Sequence, residues 1–141
     1  MKYSSKICFL MVVSIYILAL SSTSRAVEEN PLAAATANPD DADRCVDLNR
    51  IDRTDIIDDS FIVFYMRNKK IYLNVLPRSC PGLKSADTFM YRLSIFRLCD
   101  LDVITVLNRM GGGFYPGPTC GLGLFYPIDK ETAKQITKRS Q

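Results

Sequence analysis

FIVFYMRNKKIYLNVL, residues 61–76, is the stretch that decides the fold. Two runs of apolar, β-branched and aromatic residues, 61–66 and 71–76, flank the polar residues 67–70. Such runs are typical of buried strands, and a short polar segment between them is typical of a hairpin turn. The pattern therefore predicts an antiparallel hairpin at the centre of a β protein.

The sequence around this hairpin adds further short strands and no long amphipathic helix. We expect strands at residues 46–51, 88–94, 102–107 and 121–126, and a turn at residues 54–60. Five or six short strands predict a mostly β domain, either a small barrel or a rolled antiparallel sheet.

Two segments near the C-terminus fall outside this strand pattern. Residues 108–119 contain four glycines and two prolines, a composition that predicts a long irregular loop. Asp129 can cap one short helix at the start of a basic tail, residues 130–141, which we expect to be frayed.

The N-terminus has the features of a cleavable signal peptide over residues 1–26. Lys2 and Lys6 precede an apolar run at residues 7–20, and Ser24-Arg25-Ala26 fits the small-x-small cleavage rule. The apolar run is shorter than the roughly 20 residues that span a bilayer. We therefore expect export, with no membrane span after cleavage.

The segment that follows, residues 27–43, is rich in alanine, proline and aspartate and has no aromatic residue. We expect it to be a flexible leader outside the core, ahead of a single β domain at residues 44–129. Without residues 1–26 the chain has 15 basic and 15 acidic residues. This balance gives no reason to expect a nucleic-acid partner.

Four cysteines remain after the signal peptide: Cys45, Cys80, Cys99 and Cys120. An even number in a short exported chain predicts disulfides, and the spacing leaves all three pairings open. A zinc site would need C-x-x-C pairs or histidines, and the chain has neither. We expect no metal and no cofactor.

The chain has no histidine, which excludes Ser-His-Asp and Cys-His catalysis. Carboxylates remain. Asp100 and Asp102 lie two residues apart, so in an extended chain they share a face and can act as an acid and base pair. A hydrolase of cell-wall or glycan material is thus the catalytic alternative, although solvated carboxylates at the start of a strand are the simpler explanation of the pair. The sequence as a whole favours a non-catalytic binding or structural protein.

Two segments are candidates for binding a partner. Aromatic and basic residues surround the turn of the central hairpin and can form a face for sugars or single strands: Tyr65, Arg67, Lys69, Lys70 and Tyr72. An ordinary solvated turn is the competing interpretation. The loop at residues 108–119, held by Cys120 at its end, can instead be presented to an enzyme by a secreted inhibitor.

The order and spacing of several short motifs resemble the bacterial domain-of-unknown-function family 6491 (DUF6491), which consists of small exported proteins. The motifs are Arg44-Cys45, Ile56-Ile57-Asp58-Asp59, Tyr72-Leu73-Asn74 with Leu76, Cys80-Pro81-Gly82-Leu83, Leu98-Cys99 with Asp102, and Cys120-Gly121-Leu122-Gly123 with Phe125 and Pro127-Ile128.

The resemblance implies a compact β domain that is periplasmic or secreted. For such a protein we expect an envelope protein or a glycan as partner. The resemblance brings no known activity, cofactor or catalytic residue. Some members of the family keep only the cysteines that match Cys80 and Cys120. The resemblance therefore implies the pairs Cys80–Cys120 and Cys45–Cys99.

Overall fold

The computed structural model describes residues 30–36, 38–92 and 96–140. The described residues form nine strands and three α-helices. The strands are β1 (Cys45–Asp47), β2 (Ile51–Ile56), β3 (Phe61–Met66), β4 (Ile71–Val75), β5 (Phe89–Tyr91), β6 (Arg97–Cys99), β7 (Val103–Met110), β8 (Gly113–Gly121) and β9 (Phe125–Ile128). The helices are α1 (Pro31–Ala35), α2 (Leu83–Ala86) and α3 (Lys130–Arg139).

The strands form three antiparallel sheets, ordered β2-β3-β4-β9, β5-β7-β8 and β1-β6. The mostly β prediction is confirmed. The prediction of five or six strands is wrong, and the described strands do not close into a barrel. The strands without a prediction are β2, β6 and β8. Strand β6 has only three residues, β2 contains three charged residues, and β8 contains three glycines and two prolines.

The predicted central hairpin is confirmed. Strands β3 and β4 pair antiparallel, with Phe64 opposite Tyr72. Strand β3 is buried on both faces, because Ile62 and Phe64 join one hydrophobic cluster and Val63 joins another. The four-stranded sheet is therefore the middle layer, with the two smaller sheets and helix α2 on one side and helices α1 and α3 on the other.

The helices that cover this sheet correct two predictions. Leu32 and Ala35 of α1 pack against the second cluster, so this part of the leader is not outside the core. Helix α3 buries Ala133 and Ile136 in the same cluster, so residues 130–139 are not a frayed tail. The predicted capping by Asp129 is confirmed, since its carboxylate accepts hydrogen bonds from the backbone N–H groups of the first helical turn.

Several predicted element boundaries are also corrected. The expected first strand at 46–51 is interrupted by a 3-10 turn at Leu48–Arg50. The expected turn at 54–60 includes the end of β2. The expected last strand at 121–126 starts only at Phe125, because residues 122–124 connect the three-stranded sheet to the four-stranded sheet. The signal peptide predicted at 1–26 lies outside the described residues, as do residues 93–95.

Two disulfides cross-link the described part of the chain. Cys45 and Cys99 are directly opposite each other in the β1–β6 pair. Cys80, which is fully buried, is bonded to Cys120 near the end of β8. This is the pairing that the family resemblance implies. The bonded cysteines are 54 and 40 residues apart in sequence. In the chain-entropy model, each disulfide then stabilises the folded state by about 4 kcal/mol.

The chain crosses from the three-stranded sheet to the four-stranded sheet at residues 122–124. Asn74, fully buried in β4, donates to the carbonyl oxygen of Gly123 at 2.6 Å and accepts from its N–H at 3.1 Å. The N–H of Leu122 donates to the carbonyl oxygen of Asp102 at 2.9 Å. These bonds fix the crossing against both sheets. Throughout the described residues, every buried side-chain polar atom has a hydrogen-bond partner.

Gly123 is required at this crossing because the chain passes close to β4. A Cβ atom at this position would overlap the carbonyl oxygen of Val75 and lie 3.1 Å from its carbonyl carbon. We therefore expect Gly123→Ala to lower the free energy of unfolding by about 3 kcal/mol or more, since backbone atoms must move. Urea unfolding measures this change.

Gly121→Ala is the matched control, two residues away. Its Cβ would meet only the ring of Pro77 at 3.9 Å, an ordinary contact. Equal unfolding midpoints for the two variants would contradict the role assigned to Gly123.

Candidate functional site

The predicted carboxylate pair lies between β6 and β7, and each carboxylate has a structural partner. Asp100 forms an ion pair with Arg44, with 3.2 Å between Nε and Oδ2. Asp102 accepts a hydrogen bond of 2.6 Å from the backbone N–H of Cys99. The two side chains therefore fix the ends of the β1–β6 pair in place. Neither of them lines the cavity described below.

The other paired aspartates, Asp58 and Asp59, act in the same structural way. Asp58 accepts from the N–H groups of Ser60 and Phe61 at the start of β3. Asp59 accepts from the N–H of Lys84 at 2.8 Å, which caps helix α2. Within the described ranges, no group of three or more histidine, cysteine or acidic side chains is arranged to hold a metal ion.

The predicted aromatic and basic face is not a single surface. Tyr72 is buried in the first hydrophobic cluster, and its hydroxyl donates to Asp43 at 2.8 Å. Tyr65 lies on the opposite face of the sheet, with the guanidinium of Arg53 3.6 Å from its ring centroid. The structure separates the two tyrosines because they occupy non-equivalent positions in the β3–β4 register. The prediction of one shared face is therefore wrong.

The three basic residues of this set stay at the turn of the hairpin. Arg67, Lys69 and Lys70 are exposed between β3 and β4. With Tyr72 buried and Tyr65 covered by Arg53, no exposed aromatic ring of the predicted set lies beside these cations. Their arrangement is that of a solvated turn.

The segment at 108–119, predicted to be an irregular loop, belongs to the antiparallel hairpin of β7 and β8, whose register shifts once between Thr105 and Leu107. Met110 is paired with Gly113, so Gly111 and Gly112 are the two residues of the turn. Their φ angles are +56° and +85°. Positive φ at both central residues defines a type I′ turn, which matches the twist of the paired strands. The prediction failed because the glycines were interpreted as breaking a strand, whereas they close a hairpin.

The far end of this hairpin, residues 109–115, is named here the tip. Three large side chains of the tip are more than half exposed: Met110 at 62%, Phe114 at 54% and Tyr115 at 56%. The guanidinium of Arg109 lies 5.3 Å from the ring centroid of Phe114. The tip is therefore an apolar and aromatic projection with one cation.

The base of the hairpin is firmly held. Cys120 is bonded to the buried Cys80, and the hydroxyl groups of Thr105 and Thr119 share a hydrogen bond of 3.0 Å across the strands. Strand β7 also pairs with β5 and buries Ile104 and Val106 in the core. The tip thus extends from a fixed base, as a binding element requires.

A cavity of about 390 Å³ lies between α1, α3 and the start of β3. Its walls are largely apolar and include Leu32, Ile57, Phe61 and Ile136. At its rim, the ammonium group of Lys84 donates to the carbonyl oxygen of Ile56 at 3.1 Å. The rim also contains Asp58, which is already bonded to the backbone. These two rim groups are used in structural contacts.

A family of unknown function, DUF6491, matches residues 3–141 of the chain. The chain belongs to the DUF6491 family. No curated protein and no solved structure matches it.

The motifs that carry the DUF6491 resemblance form structural contacts in this chain. Arg44 pairs with Asp100, Asp59 caps the helix that follows Cys80, and Asn74 binds Gly123. The tip belongs to none of these motifs. The sequence signal that would have indicated it is the pair Gly111-Gly112, a dipeptide that type I′ turns favour.

The buried tyrosine predicts a pH dependence of stability. Burial, followed by the hydrogen bond to Asp43, raises the pKa of Tyr72 from 10.0 to about 12. The folded state thus keeps a proton that the unfolded chain loses above pH 10. The contribution of this proton to the free energy of unfolding is complete below pH 10 and is lost as the pH rises through 12. We therefore expect the urea concentration at the unfolding midpoint to decrease as the pH is raised from 10 to 12.

In Tyr72→Phe this part of the alkaline fall should be absent. Tyr115→Phe, which changes an exposed ring, should keep the fall of the natural chain. An unchanged alkaline slope in Tyr72→Phe would show that this tyrosine does not have the raised pKa.

Because both turn glycines have positive φ, the effect of a substitution there should depend on how well the new residue tolerates positive φ. Neither has another group within 4 Å of an added Cβ, so only backbone conformation is at stake. Gly112→Val places a β-branched residue at φ +85°, with strain of about 1–3 kcal/mol. We expect faster amide hydrogen exchange over residues 107–117 in this variant. Gly111→Asn, a residue that type I′ turns accept, should leave the exchange unchanged. Equal exchange in both variants would contradict the turn assignment.

Proposed function

We propose that this DUF6491 protein is an exported, non-catalytic protein of the bacterial periplasm that binds another component of the cell envelope through the tip of the β7–β8 hairpin. The N-terminal signal pattern at residues 1–26 and the two disulfides support export into an oxidising compartment.

The observation that carries the binding role is the exposure of Met110, Phe114 and Tyr115 together on a hairpin with a fixed base. Large exposed apolar side chains grouped at one end of a hairpin indicate an interaction site in a folded protein. Rigid attachment lowers the conformational entropy that binding must remove.

The hydrolase alternative has weaker support. General acid catalysis needs a carboxyl group whose proton can reach a substrate in a cleft. Asp100 is paired with Arg44, and Asp102 is bonded to the backbone of Cys99. Turnover of cell-wall glycan by the purified protein, abolished by Asp100→Asn or Asp102→Asn, would overturn the non-catalytic proposal.

The secreted-inhibitor alternative uses the same hairpin but a different partner. It requires the segment at 108–119 to enter the cleft of an enzyme, and a hairpin with a fixed base is compatible with this. The distribution of such an inhibitor between cell fractions follows that of the enzyme it binds.

The test is fractionation of cells that express the full chain. We expect a periplasmic product whose mass begins at Val27 and is four hydrogens below that of the reduced form. We also expect a part of this product to sediment with the envelope. Phe114→Ser combined with Tyr115→Ser should move that part into the soluble periplasm.

The matched control is Phe96→Ser combined with Leu101→Ser. These side chains are 73% and 82% exposed but lie outside the tip. The control should distribute like the natural chain. A cytoplasmic product with four free thiols would contradict export, and equal release of both double variants would contradict the role of the tip.

A further inference from the structure

The region that contains the tip is almost free of charge. Between Asp102 and Asp129 the sequence has one charged residue, Arg109, and this residue lies in the tip itself. A protein surface normally mixes charges of both signs. The hairpin therefore presents an apolar end with a single cation and no acidic group.

The apolar side chains occupy both faces of the hairpin. Phe114 is paired with Arg109, and Tyr115 is paired with Asn108, the neighbouring position. Successive residues of a strand point to opposite faces. The two aromatic rings consequently lie on opposite sides of the ribbon, and both are more than half exposed.

We propose that the tip inserts into the interfacial layer of a lipid bilayer and attaches the protein reversibly to a membrane surface. This inference rests on the proposed function and names the envelope component. A flat protein surface can cover one face of the ribbon, whereas a bilayer interface surrounds both faces. The headgroup region also accommodates aromatic side chains and the guanidinium group of Arg109.

The depth of insertion follows from the backbone. The N–H and C=O groups at the outer edges of a two-stranded ribbon have no partner in hydrocarbon, where each unpaired group is costly. In β8, Pro116 lacks an N–H group, but the remaining edge groups still need water or headgroups. The tip therefore stays at the interface, where both are present.

The expected affinity is low. Three partly inserted side chains give less apolar burial than one long acyl chain, and a single acyl chain binds membranes only weakly. One cation raises the affinity for anionic lipid by about fivefold at most. Apolar insertion should thus dominate, and the binding should depend little on salt.

The chain contains no tryptophan, so one introduced tryptophan reports on its own position. Phe114→Trp places the reporter in the tip. Leu101→Trp places it in the turn before β7, away from the tip, at a side chain that is 82% exposed. Protein purified from cells expressing the full chain is mixed with phosphatidylcholine vesicles, with and without phosphatidylglycerol.

We expect the emission of the Phe114→Trp variant to shift to shorter wavelength with both vesicle types. The Leu101→Trp variant should show no shift. In vesicle sedimentation, Met110→Ser and Tyr115→Ser should each weaken binding about tenfold, because each removes one inserted apolar group. Urea unfolding should be unchanged, since these side chains are exposed.

An unshifted Phe114→Trp emission with both vesicle types, or equal shifts in the two tryptophan variants, would overturn membrane insertion. If the tip nevertheless holds the protein at the envelope in cells, the proposed function stands and the partner is an envelope protein or a glycan. If vesicles bind but the chain is not exported, the insertion stands and the proposed location fails.

Discussion

The structure depends on the buried amide of Asn74 at the place where the chain passes between two sheets. The amide donates to and accepts from Gly123, and this holds residues 122–124 against β4. A glycine is needed there because no Cβ fits beside the Val75 carbonyl group. A buried amide with both of its groups paired stabilises one arrangement, since any other leaves a polar group without a partner. The relative position of the three-stranded and four-stranded sheets follows from this contact.

The Cys80–Cys120 disulfide reinforces the same crossing from the other side. Cys120 lies two residues before Leu122, whose N–H is bonded to the carbonyl group of Asp102. The end of β8 is therefore fixed by a covalent bond, a backbone bond and the adjacent Asn74 contact. Because β7 and β8 are one hairpin, fixing its base also fixes the direction in which the tip projects.

The central hairpin and the mostly β class follow from the sequence because they depend on local composition. Residues 61–66 are apolar without alternation, and such a run needs a layer on each face. The separation of Tyr65 from Tyr72 does not follow, because it depends on the register between two strands. The helix at Pro31–Ala35 was missed for a similar reason, since five residues become helical only through packing against α3.

The tip was missed because glycine has two opposite meanings in a β sequence. In the middle of a strand it weakens pairing, while at a two-residue turn with positive φ it makes pairing possible. An exposed apolar hairpin is also an aggregation hazard, and this chain carries Pro116 and Pro118 on the edge strand β8. Proline on an edge strand limits pairing with another chain. This hairpin limits strand pairing but still exposes Met110, Phe114 and Tyr115. It is therefore suited to contact through side chains, which is the kind of contact that a membrane interface offers.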